Sequence, residues 1–198
     1  MPNLQPKFIT DDKTVRTGEG RLSYLNVFEP VPLEKKMGGG KYSATILIPK
    51  TDTVTIDLIN KAVANAKRDG TEKLGKSGII KTPLRDGDEE KPEDPAYEGC
   101  YFLKANSLRR PGILTEKGVP AMDDQEVYSG CYGYLVCSFY AYNTDGNKGI
   151  ACSLQHLMKS RDGESFVGRG VSADEAFADA MYSEDVTDPW EGEDDTLN

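Results

Sequence analysis

The strongest constraint on what this chain can fold into is residues 128–143, YSGCYGYLVCSFYAYN, which hold five of its ten tyrosines. Period-two alternation sorts the stretch into two faces, the pattern of a strand and not of a helix. Cys131, Gly133, Leu135, Cys137, Phe139 and Ala141 share one side, and Tyr128, Tyr132, Tyr134, Val136, Ser138, Tyr140 and Tyr142 share the other. The small-to-apolar side reads as core. The tyrosine side needs another reason, because each phenolic hydroxyl must find a partner when buried.

Such a strand requires neighbours, and the chain supplies them. Residues 21–28, RLSYLNVF, place Leu22, Tyr24, Asn26 and Phe28 on one side and Ser23, Leu25 and Val27 on the other. Apolar groups on both sides predict a strand inside a sheet. Residues 41–49, KYSATILIP, predict a second strand with Tyr42, Ala44, Ile46 and Ile48 on one face. Residues 53–69 predict the principal helix. Leu58, Ile59, Ala62, Val63 and Ala66 recur at three- and four-residue spacing, Thr53 offers a cap, Lys67 and Arg68 suit the last turn, and Gly70 stops it.

Residues 71–99, rich in glycine, proline and charge, predict a long surface loop with a short strand at 79–80. Residues 101–107, YFLKANS, predict a third strand with Lys104 on the face of Phe102 and Asn106. A basic turn, LRRP, follows, then a short strand at 113–114. Asp145-Gly146 signals a hairpin into a strand at 148–159. Ser172 and Glu175 have capping-box spacing before a short helix. Five or more short strands around one principal helix describe a mainly β, Greek-key barrel of OB-fold type with long loops.

The net charge of −9 is unevenly distributed. Ten of the 33 acidic residues fall in 170–198, which hold no lysine or arginine, leaving 23 acidic against 24 basic residues elsewhere. The division predicts a near-neutral barrel domain over residues 1–170 and a short helix with a disordered acidic tail over 171–198. No apolar run approaches the roughly 20 residues that span a membrane. The N-terminus, MPNLQPKFIT, lacks the basic and apolar regions of a signal peptide. A soluble, cytoplasmic protein with no membrane partner is expected.

The chain is poor in catalytic and metal-binding signals. Its four cysteines form no CxxC pair and its single histidine, His156, has no ligand-spaced neighbour, so no metal or cofactor is expected and the cysteines read as buried thiols. Gly38-Gly39-Gly40-Lys41 lacks the spacing of a phosphate-binding loop and reads as a mobile hairpin connection. Neither GxSxG nor HExxH occurs, and the acid pairs at 89–90 and 123–124 sit in loop-like composition. An enzyme is not expected.

Binding is the remaining class. Tyrosines two apart on a strand face stand about 6.5–7 Å from one another. That is about twice the ~3.4 Å rise of stacked bases, so only the unstacked bases of a single strand meet them. Each stack contributes about 1–3 kcal/mol with little regard for sequence. Tyr132, Tyr134, Tyr140 and Tyr142 are the candidate stacking residues. Arg21, Lys35, Lys36, Lys41, Lys104, Arg109 and Arg110 are the candidate phosphate contacts. In the tail, Trp190 beside Glu191, Glu193, Asp194 and Asp195 predicts a polyphosphate mimic that also presents an aromatic group to partner proteins. The alternative is a structural or protein-interaction β-barrel that binds no nucleic acid. The near-neutral body favours it, and tyrosine is a good strand former in any case.

RLSYLNVFEP, YFLKANSLRRP, and VYSGCYGYLVCSFYAYN with KGIACSLQHLMKSRDGE after it resemble the bacteriophage single-stranded DNA-binding proteins of a family formerly known only as a domain of unknown function. These stretches cover most of residues 16–170, and YSGCY before an aromatic strand is the most specific. The resemblance implies an OB-fold and non-sequence-specific binding of single-stranded DNA in phage replication or recombination. It also implies an acidic tail that tempers DNA affinity and engages replication or recombination proteins. A homodimer is compatible with that role, and the host-cell cytoplasm is the expected location.

Overall fold

The computed structural model describes residues 4–32, 40–75, 78–144 and 146–166. The predicted short helix and acidic tail therefore lie outside the described residues, as do Lys35 and Lys36. In chain order the elements are β1 (Lys7–Phe8), β2 (Thr14–Arg16), β3 (Gly20–Pro32), β4 (Gly40–Pro49), α1 (Thr53–Asp69), α2 (Thr71–Leu74), β5 (Leu84–Asp86) and α3 (Gly87–Glu90). A 3-10 turn (Pro95–Tyr97), β6 (Cys100–Ser107), β7 (Gly112–Leu114), β8 (Tyr132–Thr144) and β9 (Asn147–Arg161) complete them.

Five strands close a barrel in the order β3-β4-β6-β9-β8, because β8 pairs both with β9 and back with β3. All those pairings are antiparallel except β6 with β9, which meet in parallel at Asn106 and Ser153. This is the mainly β, OB-fold-like barrel expected from the pattern of short strands. The N-terminal β1 and β2 extend the sheet beside β8, β5 lines β6, and β7 runs parallel to β9.

The apolar side of β8 points inward as alternation predicts. Cys131, Leu135, Cys137, Phe139 and Ala141 share one buried cluster with Leu22, Ala44, Ile46, Ile48, Leu103 and Leu154. Three of the four thiols, Cys131, Cys137 and Cys152, are buried and unpaired. Helix α1 contributes Ile59, Ala62, Val63 and Ala66 to the same cluster. Its cap is Asp52 and not Thr53: the Asp52 carboxylate accepts from the Thr55 N–H at 3.1 Å. At the other end Gly70 donates to the Ala66 carbonyl at 3.0 Å. A side chain at Gly70 would collide with Ala141 of β8, so the glycine lets helix and barrel approach.

Three expectations change. Residues 128–131 form a turn before β8 begins at Tyr132. Gly130 there has φ 113°, and a Cβ on it would strike the Glu164 carbonyl, so the chain after β9 folds back tightly onto this turn. Residues 79–80 form no strand; Lys81 bridges Gly149 instead. Residues 71–99 are largely ordered by contacts remote in sequence. Asp86 caps α3, Lys50 pairs with Asp86 and Asp88 at 2.7 Å each, and Tyr97 packs edge-on to Phe102 with centroids 5.3 Å apart over Leu47.

Candidate functional site

Directly paired residues on neighbouring strands share a face, so the register places side chains on the outer wall. One row runs Arg161 (β9), Tyr132 (β8), Arg21 (β3), Leu47 (β4), Phe102 (β6) and Arg85 (β5). Cations and aromatic rings lie against each other along it. The Arg161 guanidinium sits 3.4 Å from the Tyr132 ring centroid, Arg21 sits 6.0 Å from the same ring, and Arg85 sits 5.0 Å from Phe102. The next rows along the strands are polar: Ser23, Thr45 and Lys104, then Asn26, Ser43 and Asn106.

Arg21 is the hinge of this wall. It donates to the Glu164 carbonyl at 2.9 Å and the Gly130 carbonyl at 3.3 Å, and its guanidinium covers the Phe166 ring at 4.2 Å. The returning segment thus brings Phe166 beside Tyr132 and Arg21. A cleft of about 410 Å³ lies next to it, between Phe166 and Tyr24. Tyr24 is 58% exposed and has φ 47°. That conformation is rare for a bulky residue and marks a bulge where the register with β4 shifts. The bulge breaks the simple alternation expected of β3. Leu22 faces the core, whereas Asn26 reaches Ser43 on the outer wall at 3.1 Å.

The cations on and around this wall fall into two groups by how they are neutralised. Lys13, Lys50, Arg68, Arg85, Lys159 and Arg161 all form ion pairs with acids. Among the described residues, no ion pair involves Arg21, Lys41, Lys104, Arg109 or Arg110. Burial first, and then the ammonium of Lys104, pull the Lys41 amine below its ordinary pKa. Lys41, whose charge burial and Lys104 disfavour, is a position that an anion would relieve. Arg109 and Arg110 are exposed in the turn after β6, with Arg110 5.8 Å from the Phe28 ring.

The tyrosine stripe of β8 is not one open surface. Tyr132 is half-buried in the row just described. Tyr134 is 4% exposed, and its hydroxyl accepts from the Leu4 N–H at 3.4 Å, so its ring presents no open face to a ligand in this structure. Next along the strand, β2 pairs alongside Val136 and Ser138, which are half-buried. Tyr140 is 51% exposed, but eight residues from Tyr132, about 26 Å along the strand. It opens on a separate cleft of about 640 Å³ with Lys13, Asp69, Glu72 and Lys73. Tyr142 is half-buried beside it in the β8–β9 hairpin.

The outer wall therefore gathers Tyr132, Arg21, Lys41 and Lys104, with Arg110 towards its far end, and leaves Tyr140 and Tyr142 elsewhere. It adds Arg161, Phe166 and Tyr24, which sequence reasoning missed. Tyr24 stood in a recognised strand, but its bulge has no local sequence signal. Arg161 lies just beyond the strand predicted at 148–159. Lys35, Lys36, Trp190, Glu191, Glu193, Asp194 and Asp195 lie outside the described residues.

A family described as the single-stranded DNA-binding protein of Enterobacter phage Enc34 matches residues 13–187. A putative protein, p50, of Acyrthosiphon pisum secondary endosymbiont phage 1 is 34% identical over 183 residues, covering 86% of this chain and 96% of that one. Among solved structures, the Enc34 protein in complex with single-stranded DNA superposes with a TM-score of 0.71 at 23% identity, covering 84% of this chain and 99% of that one. Bacteriophage T7 gp2.5, a single-stranded DNA-binding protein, gives a TM-score of 0.57 at 16% identity, with coverages of 81% and 98%. At those identities the two structural likenesses are likenesses of fold.

Proposed function

The chain belongs to the family of the Enterobacter phage Enc34 single-stranded DNA-binding protein, and on that premise we propose that it binds single-stranded DNA during phage DNA replication or recombination. The strand runs over the outer wall of β3, β4 and β6. Lys41, Lys104, Arg21 and the Arg109-Arg110 turn meet phosphates, and the rings of Tyr132, Tyr24 and Phe166 meet bases. Lys35 and Lys36, which lie between β3 and β4 in sequence, add two further positive charges for phosphates. Stacking on these rings is tolerant of sequence, as every base has a π-face. The site acts by holding and not by converting, and it acts in the host cytoplasm.

One observation carries the reading: Arg21, Lys41, Lys104, Arg109 and Arg110, which form no ion pair among the described residues, lie on or beside the wall that carries the rings of Tyr132, Tyr24 and Phe166. A near-neutral body is compatible with it, because net charge does not set the local charge of one surface. Residues 170–198 follow Phe166 closely in sequence, and their ten acidic groups compete for the same cations. Trp190 and its acidic neighbours engage replication or recombination proteins once DNA displaces them. Tyr140 and Tyr142 provide a second contact for a strand long enough to reach the β8–β9 hairpin.

The direct test is fluorescence anisotropy with labelled oligo-dT across a salt series. Affinity is expected to fall steeply with salt, because neutralising phosphates releases counterions. Absence of binding, or binding insensitive to salt, would favour a barrel that serves another macromolecule.

A further inference from the structure

The cleft between Tyr24 and Phe166 differs chemically from the basic wall beside it. Neither lysine nor arginine lines it; its polar groups are Ser23, Asn26, Asp94 and Ser129. Its volume of about 410 Å³ lies within the range of small-molecule sites. Three aromatic residues, Tyr24, Tyr97 and Phe166, and a set of mostly neutral hydrogen-bonding groups suit a flat, uncharged ligand. A phosphate would meet the carboxylate of Asp94 with nothing in the lining to offset it.

Asp94 is not a wandering surface acid. It is half-buried and caps the Pro95–Tyr97 turn, one carboxylate oxygen accepting from the Ala96 N–H at 3.1 Å. That bond fixes the direction of the group, and the second oxygen has no partner among the described residues. A carboxylate in a groove meant for a polyanion repels the backbone, so its place there calls for a compensating use. A fixed carboxylate accepts hydrogen bonds and donates none. It therefore pairs with an exocyclic amine, as acidic side chains do with the N4 amine of cytosine.

We propose that this cleft holds one flipped-out base of the bound strand and that Asp94 selects a base carrying an exocyclic amine over thymine. The inference rests on the DNA-binding reading above and deepens it. Most of the footprint is indifferent to sequence, and one position is not. Cytosine presents its N4 amine to the second oxygen. Thymine presents carbonyl oxygens on both sides of its single ring N–H and is repelled.

The experiment compares oligo-dC with oligo-dT of equal length at pH 8, for the full chain and for Asp94→Asn. Asparagine caps a turn nearly as well as aspartate, so the substitution keeps the turn and removes the acceptor-only charge. The wild-type chain is expected to prefer oligo-dC by about tenfold, the weight of one hydrogen bond to a charged group. In Asp94→Asn the ratio should collapse towards one while oligo-dT binding holds or improves. A general loss of fold would lower both affinities and leave their ratio unchanged. Equal binding of the two oligonucleotides by the wild type, or a preference that survives Asp94→Asn, overturns the proposal and leaves DNA binding standing. Failure of the wild-type chain to bind either one overturns DNA binding itself.

Discussion

Replacing Lys41 and Lys104 together by methionine separates charge from packing, because methionine keeps the aliphatic stem and discards the ammonium. Lys104 pairs with Thr45, which lies four residues from Lys41 on β4, about 13 Å along the strand. The two ammonium groups thus serve separate phosphates, and the double variant loses two contacts. For single-stranded DNA each contact contributes about 0.7 to the slope of log affinity against log salt, so the slope becomes shallower by about 1.4. Between about 50 and 200 mM salt, a fourfold change, wild-type affinity should fall about sevenfold further than that of the variant. Thermal stability should hold or rise slightly, since the two like charges disfavour each other in the free protein and Lys41 is held below its ordinary pKa by burial and by Lys104. A phosphate that favours the charged form of Lys41 also makes wild-type affinity decline as pH rises through that lowered pKa. The assay is anisotropy with a labelled oligo-dT over a salt series, with melting followed in parallel. Parallel slopes for the two proteins would refute the placement of the strand on this wall. A variant that melts markedly lower would refute the argument that these charges are unpaired.

Other perturbations test other parts. Tyr132→Ala should weaken binding by about 1–3 kcal/mol, whereas Tyr134→Leu, which removes the ring of a buried residue, should leave the affinity of the folded protein unchanged; an equal loss in both would restore the continuous stripe. Deleting residues 183–198 should raise affinity for oligo-dT, more at low salt than at high, and unchanged affinity would remove the competition. Lys159 is buried beside Asp162 at 2.8 Å and Glu116 at 3.8 Å. Burial acts to lower its pKa, but the hydrogen bond to Asp162 and the two carboxylate charges outweigh it and raise the value. Its stabilisation is therefore complete below the unfolded-state value of about 10.4 and is lost as pH rises through the higher folded one. Lys159→Met should cost about 1–2 kcal/mol at pH 7, less than a fully buried pair, because water recovers Asp162, which is 76% exposed. Denaturant unfolding should show that gap narrowing above pH 10.4; a constant gap would mean that packing, not charge, carries the effect.

What could be read ahead of the structure follows a physical divide. Helix α1 was legible because Ile59, Ala62, Val63 and Ala66 declare its buried stripe and Gly70 its end. The inward side of β8 was legible because period-two alternation survives wherever one face is buried. The region between α1 and β6 was not, because Leu84, Asp86 and Tyr97 acquire order from partners on β6, Lys50 and Phe102 that no local pattern names. The outward side of β8 was legible only as chemistry. Alternation put Tyr132 and Tyr134 on one surface, but it could not reveal that the N-terminal segment would cover one of them. Tyr24, Phe166 and Arg161 come together through a bulge and a returning chain, both of them tertiary events.

The closure of the barrel also fixes a timetable. Gly20 and Arg21 complete the ring only by pairing with Gly133 and Tyr132, about 110 residues later in the chain. At about 5–20 residues per second of synthesis, the edge of β3 waits roughly 6–22 seconds for its partner to leave the ribosome. Until then β3, β4 and β6 form an open ribbon, and the ring closes through one of the non-local pairings of the fold. The outer wall of β3, β4 and β6 is therefore synthesised before the strand that closes the ring, and the acidic segment emerges only after that strand.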